Sequence, residues 1–175
     1  MSHIMLDLET MGNGNRAAII AIGAVAFNSS GVTERFYQQV RLDMSIDCGM
    51  EMDASTVLWW LQQSDDARSA FKDNEKAGSL CDALDEFARW YASVGGVEVW
   101  GNGAAFDNTI LSAAYRLTGI EQPWKFWNDR CYRTSKAMYP QVKMARSGTH
   151  HNAVDDANSQ ADHLIQICNT IGAML

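Results

Sequence analysis

Four acidic residues and one histidine stand in three short segments spread over almost the whole chain. Asp7 and Glu9 lie in I-M-L-D-L-E-T-M, Asp107 in W-G-N-G-A-A-F-D-N-T-I-L, and His151 and Asp156 in H-H-N-A-V-D-D-A. Each segment follows or opens an apolar stretch, so each carboxylate is expected at the edge of a core. Buried carboxylates are costly unless a cation compensates their charge. Four of them in one cleft predict a site for divalent metal ions, of the two-metal kind used in phosphoryl transfer.

Each of these acids also has an ordinary structural explanation. Asp7 and Glu9 alternate with apolar residues, which predicts one face of a β-strand, and an acidic pair of this kind is often an exposed edge face. Asp107 opens a predicted helix, where aspartate is a common N-cap. A turn at residues 12–15 follows the first pair at once, which places Asp7 and Glu9 at a strand end.

Spacing alone does not decide which histidine belongs with which aspartate in the third segment. His150 and Asp155 are five residues apart, and so are His151 and Asp156. The apolar stripe of the last predicted helix runs through Ala153, Ala157, Ala161, Leu164 and Cys168. At 100° per residue, Asp156 lies on that side of the helix, whereas Asp155 points nearly opposite. The pattern favours Asp156 with His151, and it leaves His150 and His163 as surface or structural residues.

Length and composition predict one domain over residues 1–175, with residues 1–4 a candidate cloning remnant. The chain is 47% apolar and 20% charged, which is typical of a globular protein. Because it has neither a membrane-spanning run nor a secretory leader, we expect a cytoplasmic protein without membrane contact. The four cysteines, at 48, 81, 131 and 168, lack metal-site spacing and are expected as reduced thiols.

Charge is unevenly distributed along the chain. The net charge of −7 argues against a broad clamp on duplex DNA, which relies on many Lys and Arg contacts. Residues 125–146 nevertheless hold six of the fourteen basic residues and a single acid, Asp129. The basic residues are Lys125, Arg130, Arg133, Lys136, Lys143 and Arg146. The cluster is either a solvated helix face or a local track for a nucleic-acid backbone.

The order of predicted elements indicates the α/β class. Strands are expected at residues 4–9, 19–27 and 34–40, joined by short turns as an antiparallel meander, with a further strand at 97–100. Helices are expected at 54–63, from 80 onward, and at 107–117, 131–138 and 154–171. This order predicts a mixed sheet of about five strands flanked by helices. The Trp59–Trp60 pair is typical of a core residue beside a partly exposed neighbour, although one tryptophan could stack on a base.

Three motifs, in this order along the chain, resemble those of the DEDDh 3′–5′ exonucleases, which are proofreading-type enzymes with a ribonuclease-H-like fold. The resemblance is strongest to a small phage and bacterial branch that has exoribonuclease-like members. D-L-E-T-M-G at residues 7–12 resembles the first motif, D-x-E-T-x-G. F-D-N-x-x-L around Asp107 resembles the second. H-N-A-V-D-D-A at 151–157 resembles the third, H-x-A-x-x-D-A, and its two alanines fit only the His151/Asp156 register. Met11 departs from the small polar residue of many relatives.

The resemblance implies a metal-dependent 3′–5′ exonuclease that releases nucleoside 5′-monophosphates from single-stranded DNA or RNA 3′ ends. Asp7, Glu9, Asp107 and Asp156 would hold two Mg²⁺ or Mn²⁺ ions, and His151 would be the general base. Thr10 and Met11 would contact the terminal nucleotide. From the basic cluster, Arg133, Lys136, Lys143 and Arg146 are the candidate strand contacts.

Two other classes of function stay open. One is another enzyme of the same fold, such as an internal ribonuclease or a strand-transfer enzyme, which would lack the histidine at His151. The other is a catalytically weak nucleic-acid-binding or partner module, which loss of one metal ligand would favour. The choice between DNA and RNA and the oligomeric state, with a homodimer as the alternative to a monomer, also stay open.

Overall fold

A single mixed sheet organises the chain in the computed structural model, which describes residues 2–149 and 151–173. Within these residues the sheet has five strands in the order β3-β2-β1-β4-β5. They are β1 Ser2–Thr10, β2 Ile19–Asn28, β3 Gly31–Gln39, β4 Gly96–Gly101 and β5 Asp129–Cys131. The first three are antiparallel, and β4 and β5 continue the sheet parallel to β1. The predicted meander and mixed sheet are confirmed.

Helices cover both faces of the sheet. They are α1 Leu42–Asp47, α2 Ala54–Trp60, α3 Asp65–Arg68, α4 Leu80–Ser93, α5 Asp107–Thr118, α6 Tyr132–Met138 and α7 Ala153–Ile171. The Ser79 side chain accepts the Asp82 N–H and caps α4, as the sequence pattern predicts. The predicted helix at 54–63 already ends at Trp60, and the one expected from Cys131 begins a residue later because Cys131 completes β5.

The alternation along β1 separates two core layers. Ile4, Leu6 and Leu8 point into a large cluster with α4 and α5. Met5 points to the opposite face, into a smaller cluster with α7. Because successive side chains alternate, Asp7 and Glu9 share the α7 face with Met5 and lie at the C-terminal end of the strand.

Small residues bring α7 unusually close to the sheet. Ala153, Ala157 and Ala161 are fully buried on its inner side. Beneath its first turn lies Gly23 of β2, which pairs with Asp7. A Cβ at Gly23 would overlap main-chain atoms of Ala153 and of the residue after it. The glycine therefore lets the N-terminus of α7 rest directly on the sheet beside the β1 carboxylates.

Within the described residues, no helix has both the length and the apolar character needed to cross a membrane. All four cysteines lie in this part of the chain and form no disulfide there; their reduced state stays a prediction.

Candidate active site

Strand β1 contributes Asp7 and Glu9 to the site. The register between β1 and β2 shifts between Glu9 and Thr10, an irregularity of the kind that re-aims side chains at a sheet edge. Gln160 of α7 donates its side-chain N–H to Asp7 Oδ1 at 2.8 Å. Because Asp7 is held from the opposite element, its orientation depends on the docking of α7 as well as on β1.

Asp107 is the first residue of α5 and not its N-cap, so the structural alternative for this residue is wrong. Phe106 occupies the cap position and makes no capping side-chain bond. The Asp107 carboxylate instead accepts the main-chain N–H of Leu8 at 3.2 Å and thereby faces the two β1 acids. Parallel β1 and β4 end at the same edge, with Leu6 paired to Gly101, and this brings the two segments together.

The first turn of α7 directs Asp156, and not Asp155, towards the carboxylate cavity, as the helical wheel predicts. Asp156 is buried and accepts the main-chain N–H of His151 on Oδ2 at 3.1 Å. Asp155 turns away and accepts the N–H of Thr149 at 2.8 Å, which ties down the loop before the helix. Asn152 caps α7 by accepting the Asp155 N–H. His150 lies outside the described residues.

His151 has a left-handed backbone, with φ of 62°. Few residues other than glycine adopt this conformation, and histidine is among those that tolerate it. Its ring packs edge-on against Trp59, with ring centroids 5.1 Å apart. One ligand atom from each of His151, Glu9 and Asp156 lies within 4.8 Å of the other two. The ring thus stands at the rim of the carboxylate cluster, near enough to serve either as a base or as a ligand.

The four carboxylates and His151 line one cavity of about 210 Å³. Burial raises the pKa of Asp7 well above its ordinary value, and repulsion from Asp107, Glu9 and Asp156 adds to the effect. Burial, with repulsion from Asp156 and Asp107, raises the pKa of Glu9 to about 8. Burial also raises the pKa of Asp107 to about 7. Acids whose pKa is raised, chiefly by burial and for Asp7 and Glu9 also by mutual repulsion, fit a divalent cation, which would replace the protons.

Arg146 adds a cation to this cavity from the connection before α7. Its guanidinium forms an ion pair with Asp156 Oδ1. Because the His151 N–H occupies the other oxygen, both oxygens of Asp156 are engaged by protein groups. Arg146 therefore occupies an oxygen that a metal ion at Asp156 would also use.

A second cavity of about 220 Å³ adjoins the first and shares Leu8, Glu9 and Phe106 with it. Thr10 and Trp59 also line it. Trp59 is 42% exposed and Trp60 is buried, as the sequence pattern predicts.

Met11 does not line this cavity but is buried in the large core cluster. Its main-chain N–H and C=O bond to Ala18 and Asp53. The expected contact between Met11 and a nucleotide is therefore not supported, because both its side chain and its main chain already have protein partners.

The structure divides the basic cluster into separate groups. Arg133, Lys136 and Lys143 line a third cavity, of about 580 Å³. Arg146 belongs to the carboxylate cavity, and Arg130 forms an ion pair with Glu98. Lys125 lies outside all three cavities.

The sequence motifs did not identify two residues that hold the site together, Gln160 inside the cavity and Asn108 behind it. Gln160 stands one helical turn after Asp156 and follows the same inward face, so its i+4 spacing is the signal that could have found it. Asn108 donates to Val99 O and to Asp129 Oδ1 and joins α5 to β4 and β5. Asn108 lies in the quoted F-D-N segment, but its partners are not evident from sequence.

His163 is buried and bonds through its two ring nitrogens to the Tyr132 hydroxyl at 2.6 Å and the Val142 carbonyl at 2.9 Å. It is a satisfied structural residue, as predicted.

Comparison with known proteins gives a family and a relative. Residues 2–168 match the family described as the 3′–5′ exoribonuclease Rv2179c-like domain. The chain is 29% identical over 160 residues to an exodeoxyribonuclease of Enterobacteria phage T4, covering 77% of this chain and 70% of that protein. The family description names an RNA exonuclease, whereas the name of the phage protein refers to DNA. The two findings therefore differ in the nucleic acid that they name.

Solved structures share the fold. The nuclease domain of 3′hExo, a DEDDh family member bound to rAMP, superposes with a TM-score of 0.67 at 14% identity, covering 99% of this chain and 94% of that one. Exonuclease X in complex with 5′ overhanging duplex DNA gives 0.61 at 18% identity, covering 97% and 93%. At these identities the likeness describes architecture alone, and it agrees with the ribonuclease-H-like sheet expected from the sequence.

Proposed function

Because the chain belongs to the Rv2179c-like 3′–5′ exoribonuclease domain family, and is thus a DEDDh-type 3′–5′ exonuclease, we propose that it removes nucleoside 5′-monophosphates from single-stranded 3′ ends. The proposed mechanism uses two divalent cations and a histidine as the general base. The observation that carries this proposal is the convergence of four carboxylates from three distant segments in one cavity. A binding module would have no need to keep so many buried acids together at such electrostatic cost.

Asp7, Glu9, Asp107 and Asp156 are the proposed ligands of two Mg²⁺ or Mn²⁺ ions. Carboxylate oxygens suit these hard cations, and the cavity lining includes no cysteine among the described residues. When bound, the two cations would stabilise charge on the attacking and leaving oxygens. Gln160 orients Asp7, which lines the cavity, by donating its side-chain N–H to Oδ1.

His151 accepts the proton of the attacking water. An imidazole suits this role because its pKa lies near neutrality, and the loop before α7 holds the ring beside the carboxylates. The Trp59 ring limits how far the imidazole can swing on that side. The competing role, as a metal ligand, is supported by the same short distances, so metal affinity must be measured together with rate.

The cavity beside Thr10 and Trp59 is the proposed site of the 3′-terminal nucleotide. It adjoins the carboxylates through Glu9, so a nucleotide there would present its 5′-phosphate to the metal-binding cavity. The exposed part of Trp59 offers a ring on which a base could stack. Arg133, Lys136 and Lys143 lie towards the other side and are the proposed contacts of the remaining strand.

The test is a nuclease assay with 5′-labelled single-stranded RNA, single-stranded DNA and blunt duplex of one sequence. We expect a ladder shortening from the 3′ end, free nucleoside 5′-monophosphates, dependence on Mg²⁺ or Mn²⁺ and loss of activity in EDTA. Glu9→Gln should be inactive, while Glu34→Gln, an exposed position on β3, should match the wild type. Undiminished hydrolysis in EDTA would refute the metal mechanism, and faster cleavage of blunt duplex would refute the single-strand preference.

A homodimer stays a prediction. Phe126 and Trp127 are 76% and 62% exposed, beside the short edge strand β5, and form the surface that supports it. Light scattering of the wild type beside Trp127→Ser would test it: a dimer that dissociates in the variant is expected, and a wild-type monomer would refute it.

A further inference from the structure

The third cavity lies next to the carboxylates and is the largest of those described above, at about 580 Å³. It shares Asn102 and Arg133 with the carboxylate cavity. It shares no lining residue with the cavity beside Thr10. The three cavities therefore follow one another along the surface, with the carboxylates in the middle.

The walls of this cavity are held by buried contacts. Helix α6 supplies Arg133 and Lys136, which are three residues apart and so share a helix face. The connection from α6 to α7 supplies Val142 and Lys143. That connection is fixed from below by His163, which contacts Val142 O while its other nitrogen contacts Tyr132 at the start of α6. The cavity is thus a preformed feature of the fold.

The lining has the composition of a nucleotide site. Among the described residues that form it, none is acidic, and three are cationic. Arg133 bonds to the Asn102 carbonyl at 2.6 Å and also faces Asp107. Among the described residues, neither Lys136 nor Lys143 has an ion pair with an acid. Pro140 and Met144 add apolar surface. Two lysines without an ion pair to a described acid, beside an apolar wall in a chain of net charge −7, fit a ligand with a phosphate and a flat ring.

The sequence of cavities fixes which nucleotide this is. In the proposed function, on which this inference rests, the terminal nucleotide lies beside Thr10 and the scissile phosphate at the carboxylates. The strand must continue away from the terminal nucleotide, and the third cavity is next in line. We propose that this cavity binds the penultimate nucleotide, with its base against Pro140 and Met144 and its own 5′-phosphate at Arg133, Lys136 and Lys143.

This assignment predicts that one phosphate of the strand matters more than its upstream neighbours. A single methylphosphonate linkage removes the charge of one phosphate and leaves the chain intact. Placed on the 5′ side of the penultimate nucleotide, it should raise KM of the wild type about tenfold, the scale of a lost charge-assisted contact of roughly 1.5 kcal/mol. Placed three linkages further upstream, it should have a much smaller effect.

Variants connect the effect to the cavity. Lys136→Gln together with Lys143→Gln should raise KM for the unmodified strand and should abolish most of the penalty of the first methylphosphonate, because two of the three partner charges are already gone. Lys125→Gln is the matched control, since Lys125 is exposed and outside the cavity, and it should behave as the wild type. Anisotropy of the labelled strands bound to Glu9→Gln should show the same order of affinities without turnover.

The possible results distinguish a failure of the penultimate-nucleotide site from a failure of the proposed exonuclease function. If the wild type does not hydrolyse the unmodified strand at all, the proposed exonuclease function fails. If it hydrolyses that strand but is indifferent to the first methylphosphonate, or if the double lysine variant retains the full penalty, the penultimate nucleotide does not bind here.

Discussion

We expect the metal-free protein to lose stability as pH rises, which is the opposite of ordinary acid denaturation. The pKa of Glu9 is raised to about 8 and that of Asp107 to about 7 in the folded chain, in both cases chiefly by burial. In the unfolded chain both groups titrate near pH 4. Between these limits the folded state binds more protons than the unfolded state, so the free energy of unfolding must fall with increasing pH.

The magnitude follows from the same values. A tenfold change in proton affinity is worth about 1.4 kcal/mol, so moving the pKa of Glu9 from 4.5 to about 8 corresponds to roughly 5 kcal/mol once the group is ionised. Domains of this kind are stable by about 5–15 kcal/mol in total. We therefore expect a decrease on the order of 5 kcal/mol between pH 5 and 8.5 in EDTA, with most of it restored by saturating Mn²⁺.

Urea denaturation followed by tryptophan fluorescence at pH 5, 7 and 8.5, in EDTA and in Mn²⁺, measures this directly. Glu9→Gln cannot ionise, so its metal-free stability should depend less on pH and should exceed that of the wild type at pH 8.5. Glu34→Gln, an exposed position, should follow the wild type. A metal-free stability that stays level or rises over this range would show that the buried carboxylates are ionised without metal and that the reasoning is wrong.

Four further predictions follow from the site. His151→Ala should lower kcat by about 10²–10⁴-fold and keep Mn²⁺ affinity in titration calorimetry; parallel loss of both would make His151 a ligand. Asp156→Asn should abolish turnover while Asp155→Asn keeps most of it, and the reverse order of rates would overturn the register. Arg146→Gln should tighten Mn²⁺ binding several-fold in calorimetry, since its guanidinium occupies Asp156 Oδ1, and unchanged or weaker binding would refute that competition. Gly23→Ala should lift the start of α7 and lower both melting temperature and kcat, and wild-type values would show that the close approach is dispensable.

Local pattern was sufficient for the parts of the fold that depend on periodicity. Alternation placed Asp7 and Glu9 on one face of β1, and the helical wheel selected Asp156 over Asp155, because both patterns follow from backbone geometry alone. The structure confirms both. Helix α1, at Leu42–Asp47, was not predicted, since it is short and its N-terminus lacks a capping side chain.

What sequence could not supply is the identity of distant partners. Gln160 contacts Asp7 across 153 positions of the chain, and no spacing rule covers such a distance. Arg146 was assigned to a strand-binding group from its neighbours in sequence, yet it lies against Asp156. The burial of Met11 could not be predicted from the sequence either, because it depends on the packing of α2 and β2 in the large core cluster.

The distribution of the carboxylates along the chain has a consequence for protein synthesis. A nascent chain that ends before α7 already holds Asp7, Glu9 and Asp107, but it lacks both His151 and Asp156. The face of β1 and β2 that α7 covers also remains open until then. Under the proposed function, the domain therefore becomes active only after α7 has been translated and has packed against this face.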